Sequence, residues 1–211
     1  MATPTDLLTL AQWLSPAFPL GSFAYSHGLE SAVDRKRVTD GIGFADWLEA
    51  VLEFGSGASD ALFLAAAFHG DAAAVDAEAR AFAASAERLA ETVQQGAAFV
   101  AVTSAVWGTP AVPRVLPVAV GEAARLQGLP LCETLVLYLH AFAANLTAAA
   151  QRLLPLGQTE AQRIVAGLAP LIRSVAEEAE CGDLDRLSAT CFLADIAAMQ
   201  HETQYSRIFR S

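Results

Sequence analysis

The chain holds a single lysine, Lys36 in "DRKRV", with no glycine loop around it. A phosphate-binding loop needs Gly-x4-Gly-Lys-Ser/Thr, so that backbone amides and the lysine hold the phosphates. GTP or ATP hydrolysis is thereby excluded. Cysteine is scarce as well. Cys132, Cys181 and Cys191 stand in no paired spacing, which argues against a disulfide framework and for a reducing, cytoplasmic setting. The four histidines, His27, His69, His140 and His201, are scattered, and no HExxH, CxxC or His-rich tract forms. His201-Glu202 opens like HExxH but continues Thr-Gln-Tyr. No metal ligand is assigned and no cofactor of its own is expected; a ligand set assembled across a dimer is the alternative that spacing leaves open.

Positive charge is short throughout. Thirteen Lys and Arg stand against 23 Asp and Glu, a net charge of −10 with a pI near 4.7. Phosphate backbones need a basic face, so a nucleic-acid ligand is disfavoured. The start, "MATPTDLLTLAQWL", lacks a basic segment followed by an apolar one, and no signal peptide is expected. One apolar run, 131–150, approaches the ~20 residues of a membrane span. Yet Glu133, His140, Thr147 and Gln151 fall on one stripe at about 100° per residue. That pattern suits a central helix with one wet or paired edge, so no membrane partner is expected.

Hydrophobic residues make up 54% of the chain. That is rich for a monomer, and some apolar surface is expected to enter an interface. Helical periodicity dominates. A helix is expected over 6–14, capped by Thr5 or Asp6, followed by an irregular passage at Pro16 and Pro19. Others are expected from Asp40 or Gly43 to Gly55, from Ser59 to His69, two or three within 71–107, one over 131–154, and a last one over 183–201. That last helix sets Phe192, Ile196 and Met199 on one stripe. The segment "GTPAVPRVLPVAVG" reads as the clearest break. Its Pro117 argues against a central strand. Thr159-Glu-Ala-Gln162 matches a capping box. The fold class is all-α: a single-domain helical bundle over 1–204 with a tail, 205–211.

Two places invite a chemical reading. "AYSHG", 24–28, is a one-off variant of the Gly-x-Ser-x-Gly nucleophile elbow, with His27 beside Ser26. An elbow needs a strand feeding a tight turn into a helix. Here prolines precede it, and a loop leading into a helix is the better reading. Asp195, inside "CFLADIAAM", is expected to pair with a buried amide or arginine. The tail "YSRIFRS" carries Tyr205, Ile208 and Phe209 with Arg207 and Arg210 and no acidic side chain. Aromatic and arginine anchors are what interfaces concentrate. Partner capture is therefore the preferred role of the tail and packing onto its own domain the alternative. On the preferred reading, deleting the tail leaves the helical domain folded.

Three segments carry a resemblance: "FPLGSFAYSHGLE" (18–30), "AANLTAAAQRLLPLGQTEAQR" (143–163) and "LADIAAMQHETQYSRIFRS" (193–211). In order, spacing and overall length they resemble the urease accessory protein F family. Two departures stand out. Val93, Gln94 and Gln95 occupy a stretch where such proteins often carry basic residues, and "RVLPVAVG" lacks a His before its Pro-Val. The resemblance implies an all-helical, homodimeric scaffold without enzymatic activity. It implies partnership with the accessory protein D (H in some organisms), with the GTPase accessory protein G and with apo-urease, to which the assembly delivers nickel. It places partner contacts on Gly21, Phe23, Ser26 and Glu30 and on Tyr205, Ser206, Arg207, Phe209 and Arg210. Two other classes stay as alternatives: an independent nickel metallochaperone, and a serine hydrolase using Ser26.

Overall fold

A computed structural model describes residues 2–188 and 190–211. In chain order the helices are α1 (Pro4–Trp13), α2 (Leu29–Asp34), α3 (Gly41–Phe54), α4 (Ser56–His69), α5 (Ala72–Phe82), α6 (Ala86–Trp107), α7 (Leu116–Leu126), α8 (Leu131–Leu153), α9 (Gln158–Gly167), α10 (Ala169–Ala179) and α11 (Phe192–His201). Single 3-10 turns lie at Ser22–Ala24 and Leu184–Arg186. Among the described residues there is no strand, and the all-α class holds.

Short polar side chains set many of the boundaries. Asp40 caps α3 by accepting the Gly43 amide (2.9 Å), as its position before an apolar run suggests. Asp71 and Ser85 cap α5 and α6, dividing 71–107 into two helices. Other starts differ from expectation. Thr3, rather than Thr5 or Asp6, caps α1 in a reciprocal box with Asp6, and Pro4 follows at the first turn, where a missing N–H is harmless. α4 begins at Ser56, so Ser59 lies inside it. Thr159 makes no capping box, since α9 starts at Gln158 after an extended Gly157 and Thr159 falls within its first turn.

The proline-rich break is shorter than 108–121. Leu116 already begins α7 with Pro117 in its first turn. Proline here opens a helix instead of preventing one. Residues 114–116 lie directly on α6 at Gly96, where an added Cβ would come within 2.0 Å of the Arg114 carbonyl oxygen. The expected helix over 183–201 is only half present. Asp183 closes a single 3-10 turn and α11 starts at Phe192.

α4 runs through the centre and packs on α3, α5, α7, α8 and α10. The core joins Leu10 and Trp13 of α1 to Phe44, Leu48 and Leu52 of α3, Leu64 of α4, Phe99 of α6 and Leu135, Leu139 and Leu146 of α8. Phe63, Val75, Ala79, Val115 and Val118 form a smaller cluster beneath α5. Gly41–His69 and Leu131–Leu153 are long and apolar enough to cross a membrane by length and composition, and both are built into this core. On α8 the expected polar stripe is mixed: His140 is exposed, Glu133 and Gln151 are half-buried, and Thr147 is buried with its hydroxyl donating to the Ala143 carbonyl (2.8 Å).

α11 turns its large residues outward. Ala194, Ala197 and His201 are buried, whereas Phe192, Leu193, Ile196 and Met199 are exposed. The cause is a close crossing with α2. A Cβ on Gly28 would stand 2.5 Å from the Ala198 backbone nitrogen, and only a small-residue face fits that approach. An apolar stripe of two adjacent helical turns is left exposed among the described residues.

Candidate functional site

Between α1 and α2 the chain crosses the end of α8 as a loop. Gly21 takes a left-handed conformation (φ 73°) and starts the Ser22–Ala24 turn, a geometry that glycine adopts without a Cβ clash. α8 holds this turn from below. Asn145 Nδ2 donates to the Ser22 carbonyl (3.0 Å), and Arg152 Nη1 donates to that of Phe23 (3.0 Å). With its backbone so fixed, the Phe23 ring projects into solvent.

The tail lies against this loop. The Arg210 amide donates to the Ala24 carbonyl (2.8 Å) and the Ser26 amide to the Ser211 carbonyl (2.8 Å). Ser26 Oγ also donates to the Ser211 carbonyl oxygen. Glu30, on α2, accepts the amides of Ile208 (2.7 Å) and Phe209 (2.9 Å). Phe209 is 4% exposed, with the Arg152 guanidinium 4.3 Å above its ring. The same arginine thus joins the Phe23 backbone to the Phe209 side chain. Ser211 is buried and its hydroxyl donates to Glu91 Oε2 (3.1 Å).

The choice between self-packing and presentation is therefore divided along the tail. The expectation of a tail held away from the domain is corrected for Phe209 and Ser211, which are buried in the chain itself because Glu30 satisfies their segment's backbone donors. Tyr205, Ser206 and Ile208 are exposed, and Tyr205 protrudes completely. Arg207 and Arg210 reach across the surface to Glu87 Oε1 (2.6 Å) and Gln94 Oε1 (3.3 Å). Gln94, one of the neutral residues where basic ones are common in the resembling family, also accepts the Tyr25 hydroxyl (2.8 Å). Of the nine candidate contacts, Ser26, Glu30, Arg207, Phe209 and Arg210 form one bonded cluster. Phe23 is tied to it through Arg152, and Gly21 shapes the loop.

His201 binds three segments together. Fully buried, it places Nε2 3.1 Å from Glu30 Oε2 on α2 and Nδ1 2.6 Å from Glu87 Oε2 on α6. Its neighbour Glu202 accepts the Ala86 amide (2.8 Å) at the start of α6. Beneath lies a second polar cluster. Arg88 Nη2 meets Asp60 Oδ2 (2.7 Å), which also accepts the Tyr138 hydroxyl (2.8 Å). Glu91 accepts Gln95 Nε2 (3.0 Å) and sits 3.9 Å from Arg88 Nη1. Burial raises the Glu91 carboxyl to about 7, against the opposing pull of Arg88. Burial lowers Arg88, but the Asp60 and Glu91 carboxylates outweigh it and leave the guanidinium raised. His27 is driven well below its usual range by burial and then by Arg88. Its Nδ1 lies 3.2 Å from Glu91 Oε2, yet the approach lacks hydrogen-bond geometry, and neither ring nitrogen has a hydrogen bond among the described residues. A cavity of about 380 Å³ under the 14–23 loop and one of about 80 Å³ beside Phe82 and Ala194 both border His27, Asp60, Arg88 and Glu91.

The serine-hydrolase alternative fails on this geometry. The Ser26 side chain has no exposure, its hydroxyl donates to a backbone carbonyl, and the His27 ring stands edge-on to Phe142 at 4.8 Å. Asp195 also departs from expectation. It is half-buried beside the smaller cavity, burial raises its carboxyl, and it has no side-chain hydrogen bond or ion pair among the described residues. Sequence reasoning missed His201, Glu87, Arg88 and Glu91. One available signal was the series Glu87, Glu91, Gln94 and Gln95, at i, i+4, i+7 and i+8 on one face of α6.

Comparison with known proteins bears on the family. The UreF family profile matches residues 38–169. The urease accessory protein UreF of Roseobacter denitrificans is 55% identical over 207 residues, covering 97% of this chain and 93% of that protein. The UreF of Ruegeria pomeroyi is 50% identical with both chains covered in full. A Cereibacter sphaeroides UreF is 53% identical over 97% of this chain and 98% of its own. A family profile over more than half of the chain, with relatives at least 50% identical over nearly all of it, shows that the chain belongs to the UreF family of urease accessory proteins.

Proposed function

We propose that this chain is a non-enzymatic, cytoplasmic scaffold in urease maturation. As a homodimer it joins the D/H-type accessory protein to the G-type GTPase, and the assembly delivers nickel, as cargo, to apo-urease. The observation that carries this reading is the apolar face around the anchored tail. Phe23, Tyr205 and Ile208 are exposed beside a backbone fixed by buried bonds, and Phe192, Leu193, Ile196 and Met199 stand exposed on α11. A large aromatic on a fixed backbone loses little entropy on docking and displaces water from a wide area. This face is assigned to the D/H-type protein. The nucleotide chemistry is left to the G-type partner, since this chain has no phosphate-binding lysine loop.

Complementation tests the reading. Cells that hold urease genes but lack this chain should contain apo-urease, and supplying the chain should restore nickel content and activity together. The purified chain alone should hydrolyse no GTP. Restoration by purified chain and nickel without the D/H- and G-type proteins would contradict the scaffold and favour an independent metallochaperone.

A further inference from the structure

His201 ends α11 where Glu30 of α2 and Glu87 of α6 converge on the tail, and both of these neighbours are carboxylates. Each presents only acceptor atoms when ionised. A neutral imidazole has one N–H and would turn a lone pair toward one of them. The imidazolium donates at both nitrogens and fills both contacts, 3.1 Å to Glu30 and 2.6 Å to Glu87. Charge-assisted bonds of this kind are roughly twice as strong as neutral ones. A charge buried between two opposite charges is also tolerable, where the same charge alone would not be.

The two carboxylates held by His201 are the two that hold the tail. Glu30 accepts the Ile208 and Phe209 amides, and Glu87 accepts Arg207. All three contacts between these carboxylates and the tail therefore depend on side chains that His201 orients. With His201 in place, Glu30 receives three donors and Glu87 two, and the segment 207–209 is fixed from both sides. Without it, Glu30 and Glu87 would face each other across an empty buried site, and their repulsion would turn them from the tail.

We propose that His201 is the positioning residue of the docking face: a buried imidazolium clamp that orders the tail in the free chain, so that Tyr205 and Ile208 are presented before any partner arrives. This rests on the reading that the tail face docks the D/H-type protein. The consequence is kinetic. An ordered tail binds from a populated competent state, whereas a loose one carries the cost of its own ordering into the apparent affinity.

The test uses the full chain and its His201→Gln variant, with three readouts. Hydrogen exchange in the free chain follows the Ile208 and Phe209 amides; melting follows the body; association and dissociation rates with the D/H-type protein follow docking. The wild-type amides should be protected. In the variant they should exchange roughly a hundredfold faster while core amides of α4 and α8 keep their protection. Binding should weaken roughly tenfold, mainly through slower association. Unprotected wild-type amides, or a variant with protected amides, would overturn the clamp. Lost protection with unchanged association would overturn its positioning role. Intact wild-type protection with no partner binding would sink the docking reading alone. Should His201→Gln fail to fold, Glu87→Gln, at the more open end of the clamp, carries the same test with a smaller expected loss.

Discussion

Lys36 shows how a single residue can be at odds with its backbone. It holds φ 58°, in the left-handed region, just after α2. Its amide donates to the Val33 carbonyl (2.9 Å) and that of Arg37 to the Ala32 carbonyl (2.8 Å). These are the two bonds of a Schellman close, whose left-handed position favours glycine. Lys36→Gly should therefore stabilise the chain by up to about 1 kcal/mol, and thermal melting should rise by roughly 2–4 °C. Glu91 offers a second test. Its carboxyl, raised to about 7 by burial, keeps its proton in the folded chain after an unfolded one has lost it. Stability should thus fall as pH rises from about 4.5 to about 7, at up to about 1.4 kcal/mol per pH unit, and be level above that. Denaturant titrations of Glu91→Gln across this range should lack the slope; an unchanged slope would assign it to other groups.

Among the elements, those governed by neighbours in sequence were legible and those governed by distant contacts were not. Asp40 announced α3 because a cap acts three residues away. Thr159 looked like a cap but lies inside α9, because Gly157 already supplies the extended entry. The stripe on α11 was visible as periodicity, yet its outward direction depends on Gly28, about 170 residues earlier, pressing on Ala198. His201 stood in a motif read for other reasons. Its meaning needs Glu30 and Glu87, separated from it by 171 and 114 positions. At this scale the tail is a structural element. Removing 205–211 should take away Phe209 burial and the Glu30 bonds, a loss of about 3 kcal/mol, and lower melting by roughly 6–12 °C. Gly28→Val should do comparable harm by forcing α11 from α2, detectable as faster exchange of α11 amides. Unchanged melting of the truncated chain would show that the tail does not pack as described.

At the scale of the whole molecule, an acidic bundle with a crowded interior places its unpartnered apolar residues around the tail and α11. On the proposed function the tail has two separable roles: its buried side completes the fold and its exposed side docks the D/H-type protein. Deletion cannot separate them, since it removes both. The direct measurement is the affinity of the Tyr205→Ala, Ile208→Ala double variant for that protein, with melting recorded on the same sample. Both side chains are exposed, so melting should stay within about 2 °C of the wild type. Binding should weaken thirtyfold or more, the loss of about 2 kcal/mol typical of an interface anchor, and urease activation should fall with it. A double variant that melts normally and binds with wild-type affinity would contradict the account.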